Sequence, residues 1–111
     1  MLTIDKDNTI HLTRGDTARL LIDRAANLAT GKDYEFKPTD VVEMAVKKSV
    51  CDETALIRKS VSGGEAIHIL PEDTKPLAFG RYVYDVQLTT AEGDVYTVVT
   101  LATFEVTKEV T

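Results

Sequence analysis

Three side chains in this sequence have the chemistry for catalysis or metal binding, and each lacks suitable neighbours. His11 and His68 both fall at outward positions of predicted strands, between apolar residues. A zinc or catalytic site needs such histidines to converge with cysteine or carboxylate partners, and no ligand-type spacing is present. Cys51 is the single cysteine and has no nearby histidine or helix N-terminus to activate it. We therefore predict no catalytic, cofactor-binding or metal-binding residues, and no enzymatic activity.

Two acidic groups resemble functional motifs but fail a simple test. Asp5-Lys6-Asp7-Asn8 places oxygen atoms close together, as calcium loops do, but such loops need glycine at the sixth position, where this chain has Ile10. A polar turn is the better interpretation. Glu72 and Asp73 are adjacent at the start of a predicted helical turn. An exposed first turn offers nothing to separate two carboxyl pKa values, so helix capping explains them.

Two further motifs are best explained by turn chemistry. Arg14-Gly15-Asp16 matches the tripeptide that integrins recognise, but it directly precedes a predicted strand. Glycine there permits a positive φ and aspartate bonds nearby backbone, which favours a turn over an adhesive role. Gly63-Gly64 lacks the third glycine and the following helix of a nucleotide-binding loop, so it predicts a tight turn.

Aromatic side chains leave one binding function open. Carbohydrate-binding surfaces stack sugars on exposed aromatic rings. In this chain such a surface would need Tyr34, Phe36 or a strand tyrosine to be exposed. A sugar-binding or cell-surface-binding module is therefore an alternative function.

Composition restricts the class of protein and its partners. A chain of 111 residues with 43% hydrophobic and 28% charged residues fits a single globular domain over residues 1–111. Its 13 basic residues are dispersed and outnumbered by 18 acidic ones, for a net charge of −5. Nucleic acid and anionic membranes are disfavoured as partners, since both require clustered positive charge. No signal peptide or long apolar run is present, so we expect a soluble protein made in the cytoplasm.

Alternation with period two dominates the chain and predicts strands. The longest polar stretch, 26–40, predicts a loop in which Tyr34 and Phe36 form a short strand or pin the loop to the core. The clearest feature is a hairpin from Arg81 to Thr107, turned at 91–94, with a bend or bulge expected near 100–103. The predicted strands are Thr9–Thr13, Thr17–Ala25, Val41–Lys48, Leu56–Ser62, Ala66–Leu70, Arg81–Thr89 and one or two strands within Asp94–Thr107.

Seven or eight short strands with regularly spaced turns predict an all-β domain, an antiparallel two-sheet sandwich. Between two of the strands, Pro71-Glu72-Asp73-Thr74-Lys75-Pro76-Leu77 predicts a single helical turn. The long C-terminal strand is expected to pair with a neighbouring molecule or to begin a junction. We therefore expect function at the sheet edges, the 26–40 loop and the C-terminal strand.

Several runs resemble a known group of proteins. They are Leu12-Thr13-Arg14-Gly15-Asp16-Thr17-Ala18, Val46-Lys47-Lys48, Ile69-Leu70-Pro71-Glu72-Asp73-Thr74, Gly80-Arg81-Tyr82-Val83-Tyr84-Asp85-Val86-Gln87-Leu88 and Phe104-Glu105-Val106-Thr107-Lys108-Glu109-Val110-Thr111. Together they resemble small prophage-encoded β-domains of Firmicutes, which are similar to the N-terminal domain of phage baseplate upper proteins.

That resemblance covers most of the chain, and its motifs are structural. It implies an immunoglobulin-like sandwich and a virion component at the phage tail or baseplate. It also implies that the protein acts by assembling with copies of itself or with other tail proteins, as a homo-oligomer or a mixed complex. It transfers no active-site residue.

Overall fold

A computed structural model describes residues 2–22, 24–27 and 32–108 of the chain. Within them the backbone forms ten strands and one helix of four residues. The elements in chain order are β1 (Leu2–Ile4), β2 (Ile10–Thr13), β3 (Ala18–Leu20), β4 (Arg24–Asn27), β5 (Lys32–Glu35), β6 (Val41–Lys47), β7 (Ile57–Ser62), β8 (Ile67–Ile69), α1 (Pro71–Thr74), β9 (Gly80–Thr89) and β10 (Val95–Thr107). The prediction of a mostly β domain is confirmed.

Six strands form one mixed sheet in the order β1-β2-β10-β9-β6-β7. All its neighbouring pairs are antiparallel except β2 and β10, which run parallel with Ile10 opposite Phe104 and Thr13 opposite Thr107. The prediction of a purely antiparallel sheet is therefore wrong at this pair. The reason is that no hairpin joins β2 to β10, so no turn imposes their relative direction.

The remaining strands form two separate pairs rather than one full second sheet. β3 pairs with β8, and β4 pairs with β5, both antiparallel. The mixed sheet curls, and its inner face and the β3–β8 pair bury one apolar cluster. The predicted antiparallel two-sheet sandwich is therefore not confirmed.

The core follows the alternation seen in the sequence. Inward residues of β2, β6 and β9 are buried, while their neighbours along each strand are half-buried or exposed. Burial of these side chains is the main stabilising contribution, about 1.5–3 kcal/mol for each large one. The least exposed large side chains are Leu12, Val42, Met44, Val46, Ile67, Ile69, Val86, Phe104 and Val106.

The chain departs from the predicted elements between Thr17 and Asp40. The single strand predicted over Thr17–Ala25 is split, because β3 pairs with β8 only as far as Leu20 while β4 takes β5 as its partner. The predicted 26–40 loop contains the end of β4 and all of β5, so the loop prediction is wrong there. The alternative of a short strand holds for Tyr34, which lies in β5, but not for Phe36, which follows it; residues 28–31 lie outside the described part. Phe36 is buried, which confirms that it pins this segment to the core.

Turns and the helix agree with the sequence. α1 starts at Pro71 as predicted and is shorter than the predicted turn. Gly63 and Gly64 form the turn after β7, and the β9–β10 hairpin closes through Gly93, whose φ is +91°. No helix in the described residues is long and apolar enough to cross a membrane.

Candidate functional site

His11 lies at the centre of a charged cluster at the parallel β2–β10 pair. Its Nδ1 is 2.7 Å from Oε1 of Glu105, and its Nε2 is 2.8 Å from Oδ2 of Asp5. Glu105 of β10 lies opposite His11 of β2 on one side and Arg81 of β9 on the other. Nε of Arg81 is 3.5 Å from Oε2 of Glu105. Asp5 comes from the turn between β1 and β2. The cluster therefore ties the N-terminal hairpin to the middle of the sheet.

The electrostatics of this cluster favour the charged forms of His11 and Glu105. Hydrogen bonds to Asp5 and Glu105 raise the pKa of His11 above its ordinary value. The hydrogen bond from His11 in turn lowers the pKa of Glu105. With a carboxylate on each ring nitrogen, both nitrogens donate and neither has a free lone pair for a metal ion or a substrate proton. This geometry suits a structural ion network.

The ion network makes a pH-dependent contribution to stability. Because the pKa of His11 is raised on folding, its contribution is complete below about pH 6.5 and is lost as the pH rises through the folded pKa. Because the pKa of Glu105 is lowered, its contribution is present above about pH 4.5 and is lost as the pH falls through the folded value. The network should therefore stabilise the fold most between these two values.

Replacing His11 by glutamine is expected to flatten this part of the stability profile. Urea denaturation at about pH 5.5 and about pH 9 would measure it, with His68→Gln as the control. The difference between the two midpoints should shrink in His11→Gln and persist in His68→Gln. An unchanged difference in His11→Gln would show that the network has no pH-dependent role.

The other two reactive side chains are not brought to this cluster. His68 is exposed in β8, opposite Arg19 of β3, and so belongs to a different sheet from His11. Cys51 is exposed in the connection between β6 and β7. In the described residues, no three His, Cys, Asp or Glu side chains are arranged to hold a metal ion. The histidines therefore do not meet in one pocket, as a catalytic role would require.

The two acidic motifs bind their own backbone. Oδ1 of Asp7 accepts a 3.0 Å hydrogen bond from the Thr9 amide. Hydrogen bonds with the side chain and then the backbone of Thr9 lower the pKa of Asp7. Asp73 accepts a 2.7 Å hydrogen bond from the Leu70 amide at the start of α1, and it also pairs with Lys59 of β7 at 2.8 Å. Both interactions fit the turn and capping roles predicted from the sequence.

The Arg14-Gly15-Asp16 segment forms a half-buried turn that is anchored by two contacts. Gly15 has a φ of +86°, and its amide donates to Oγ1 of the buried Thr74 at 2.8 Å. The Arg14 guanidinium lies 4.3 Å from the centre of the Phe79 ring. These contacts fix the tripeptide against α1, away from the exposed loop tip that an adhesive motif needs.

Most of the aromatic side chains named as candidate sugar platforms are buried. Phe36, Tyr82 and Tyr84 belong to the core, and burial raises the pKa of Tyr84 to about 12. The side chain of Tyr34 lies outside the described part of the chain. Tyr96 is 55% exposed, but a single exposed ring offers only a small surface on which a sugar could stack. The sugar-binding alternative is correspondingly weakened.

Two depressions mark the surface of the large sheet. A shallow groove of about 350 Å³ crosses the outer face, where Glu43 and Arg58 form a 2.7 Å ion pair beside Leu101. An apolar cleft of about 240 Å³ opens where Ile4 and Leu21 approach Val99 of β10. The groove is lined largely by charged and polar side chains such as Glu43, Lys47 and Asp85, and the cleft is mostly apolar. Neither combines an apolar pocket with a few placed polar groups, as small-molecule sites do.

The feature with the clearest capacity for interaction is one edge of β10. β9 pairs with β10 along nearly its whole length, but β2 covers the opposite edge only from Phe104 to Thr107. From Val95 to Thr103 that edge has no strand partner among the described residues. The sequence predicts that this strand pairs with a neighbouring molecule or begins a junction, and the open edge lies in the same strand.

Three large apolar side chains of this open stretch are more than half exposed. They are Val95 at 57%, Tyr96 at 55% and Leu101 at 60%. Exposed apolar residues beside free backbone groups are typical of a protein-binding surface.

Compared with known proteins, this chain matches no family model, no curated protein and no solved structure.

Proposed function

We propose that this protein is a non-enzymatic assembly module that acts through protein–protein contacts. The observation that carries the proposal is the open edge of β10 from Val95 to Thr103. An exposed edge presents a row of backbone donors and acceptors that another strand can satisfy. Proteins usually protect such edges with lysine, proline, bulges or a covering segment; this stretch contains neither lysine nor proline, and its pairing with β9 has two bulges.

The biological setting we propose is a phage or prophage tail or baseplate. Support comes from the resemblance of the runs around Gly15, Pro71 and Tyr84 to prophage-encoded β-domains. In this setting the protein is a virion component, and its partners are other tail or baseplate proteins or further copies of itself. The finer fold proposed with it is immunoglobulin-like, with the six-stranded sheet as one layer and the β3–β8 pair as part of the other.

Particles purified from an induced culture of the source strain would test this function. Mass spectrometry should detect the chain in fixed proportion to the other tail proteins. Leu101→Lys, on the open edge, should reduce its incorporation, whereas Leu56→Lys should not, since Leu56 is also exposed but lies just before β7. Particles that assemble normally without the chain would exclude a structural role.

A further inference from the structure

We infer that the open edge of β10 pairs with the same edge of a second copy of this chain, antiparallel and related by a two-fold axis. This inference rests on the proposed assembly function and names the partner. The pairing would join the two six-stranded sheets into one. Four observations support a second copy as the occupant of this edge.

The first observation is geometric. Antiparallel pairing is self-complementary, because a strand rotated by 180° presents acceptors opposite donors and donors opposite acceptors. The open stretch runs from Val95 to Thr103, so a two-fold axis near Val99 places each end of one stretch against the other end of its copy. Both open edges are then satisfied in a single contact.

The second observation concerns charge. The chain has a net charge of −5, so two copies repel each other unless they meet at a neutral surface. No charged residue lies between Asp94 and Glu105. With the axis near Val99, the paired stretches end with Val95 opposite Thr103, and both Asp94 and Glu105 lie outside the contact. No acidic residue therefore faces another across the contact.

The third observation is the contrast between the open stretch of β10 and β7, which forms one end of the large sheet. β7 carries Arg58 and Lys59 at consecutive positions. Charged side chains on an edge strand discourage pairing with another chain. The open stretch of β10 instead carries the exposed Val95, Tyr96 and Leu101, which a second copy would cover.

The fourth observation is the shape of the edge. The β9–β10 register shifts twice, between Thr97 and Val99 and between Val99 and Ala102. Such bulges bend a strand and increase its right-handed twist. A regular, flat strand fits this edge poorly, whereas a second copy has the same bulges and the same twist. The bulges therefore select against unrelated strands.

Association in solution provides the first test. Sedimentation equilibrium over a range of protein concentrations should show a monomer–dimer equilibrium. Leu101→Lys should raise the dimer dissociation constant about tenfold or more, because it places a charged side chain in an otherwise uncharged contact, and charged residues on a strand edge discourage pairing. Leu56→Lys, which adds the same charge away from this edge, should leave the constant unchanged. Equal effects of both variants would overturn the inference.

Disulfide cross-linking provides the second test and locates the axis. In a Cys51→Ser background, single cysteines replace Val98, Val99 or Thr100, the residues nearest the axis, because only a residue on the axis faces its own copy; Ser60→Cys on β7 is the control. Paired antiparallel strands bring facing Cα atoms to about 4.5–5.5 Å, within disulfide range. At least one β10 variant should form a covalent dimer under mild oxidation, and the control should not.

The two proposals can fail separately. A protein that stays monomeric at the highest concentration and gives no cross-link from any β10 cysteine contradicts self-pairing. If Leu101→Lys still blocks incorporation into particles in that case, the assembly function stands and the edge binds a different protein. If dimers form but particles never contain the chain, self-pairing stands and the tail or baseplate function is wrong.

Discussion

Replacing Phe104 with alanine is expected to lower the free energy of unfolding by about 3–5 kcal/mol. The ring is completely buried at the point where β10 pairs with both β2 and β9, opposite Ile10 and Tyr82. It also meets the Tyr84 ring edge to face, with centroids 6.4 Å apart and planes at 79°. The substitution removes both contacts and leaves a cavity at the centre of the sheet. Since small domains are stable by only about 5–15 kcal/mol, much of the total would be lost.

Urea denaturation followed by circular dichroism would measure this loss. Tyr96→Ala is the matched control, since it removes an aromatic ring from the same strand at a position that is 55% exposed. We expect the control to change the free energy of unfolding by less than about 1 kcal/mol. A similar, small effect of both substitutions would mean that Phe104 is not packed as described.

Replacing Gly63 with alanine is expected to destabilise the protein by about 3 kcal/mol, more than the same change at Gly64. A Cβ atom on Gly63 would lie 2.1 Å from the backbone oxygen of Lys37, a position that only a backbone shift can relieve. That shift is resisted because the Gly63 amide donates a 2.9 Å hydrogen bond to the backbone carbonyl oxygen of Asp40. The buried Asp40 carboxylate also accepts a 2.8 Å hydrogen bond from the Lys37 amide.

Gly64→Ala serves as the comparison because its cost has a different origin. Gly64 has a φ of +87°, and an added Cβ would meet no atom within 4 Å. The expected cost is the conformational strain alone, about 1–2 kcal/mol. Thermal or urea denaturation of the two variants would decide the order. A greater loss at Gly64 would show that the positive φ, rather than the close approach to Lys37, makes glycine necessary in this turn.

The different expected costs of replacing Gly63 and Gly64 illustrate how much of the fold can be predicted from the sequence. The sequence correctly predicts a turn at Gly63-Gly64, because glycine pairs after a strand have this conformational role. The contact that makes Gly63 irreplaceable was not recognised, since it depends on the 37–40 segment, which is distant in the chain. The same limit applies to His11, whose partner Glu105 is 94 residues away.

The amino-acid sequence alone predicts which side of each main strand faces the core and where several of the turns lie. Alternation assigned the inward residues of β2, β6 and β9, and proline placed the start of α1. These features depend on neighbouring residues, so local sequence is enough to predict them.

Which strands are neighbours, and in which direction they run, depends on the tertiary structure. A period of two identifies the buried face of a strand but says nothing about its partners. The parallel β2–β10 pair, the charged cluster of His11 and the open edge from Val95 to Thr103 all follow from that choice of partners. The choice is made by packing between distant parts of the chain, so the proposed interaction surface became visible only in the folded protein.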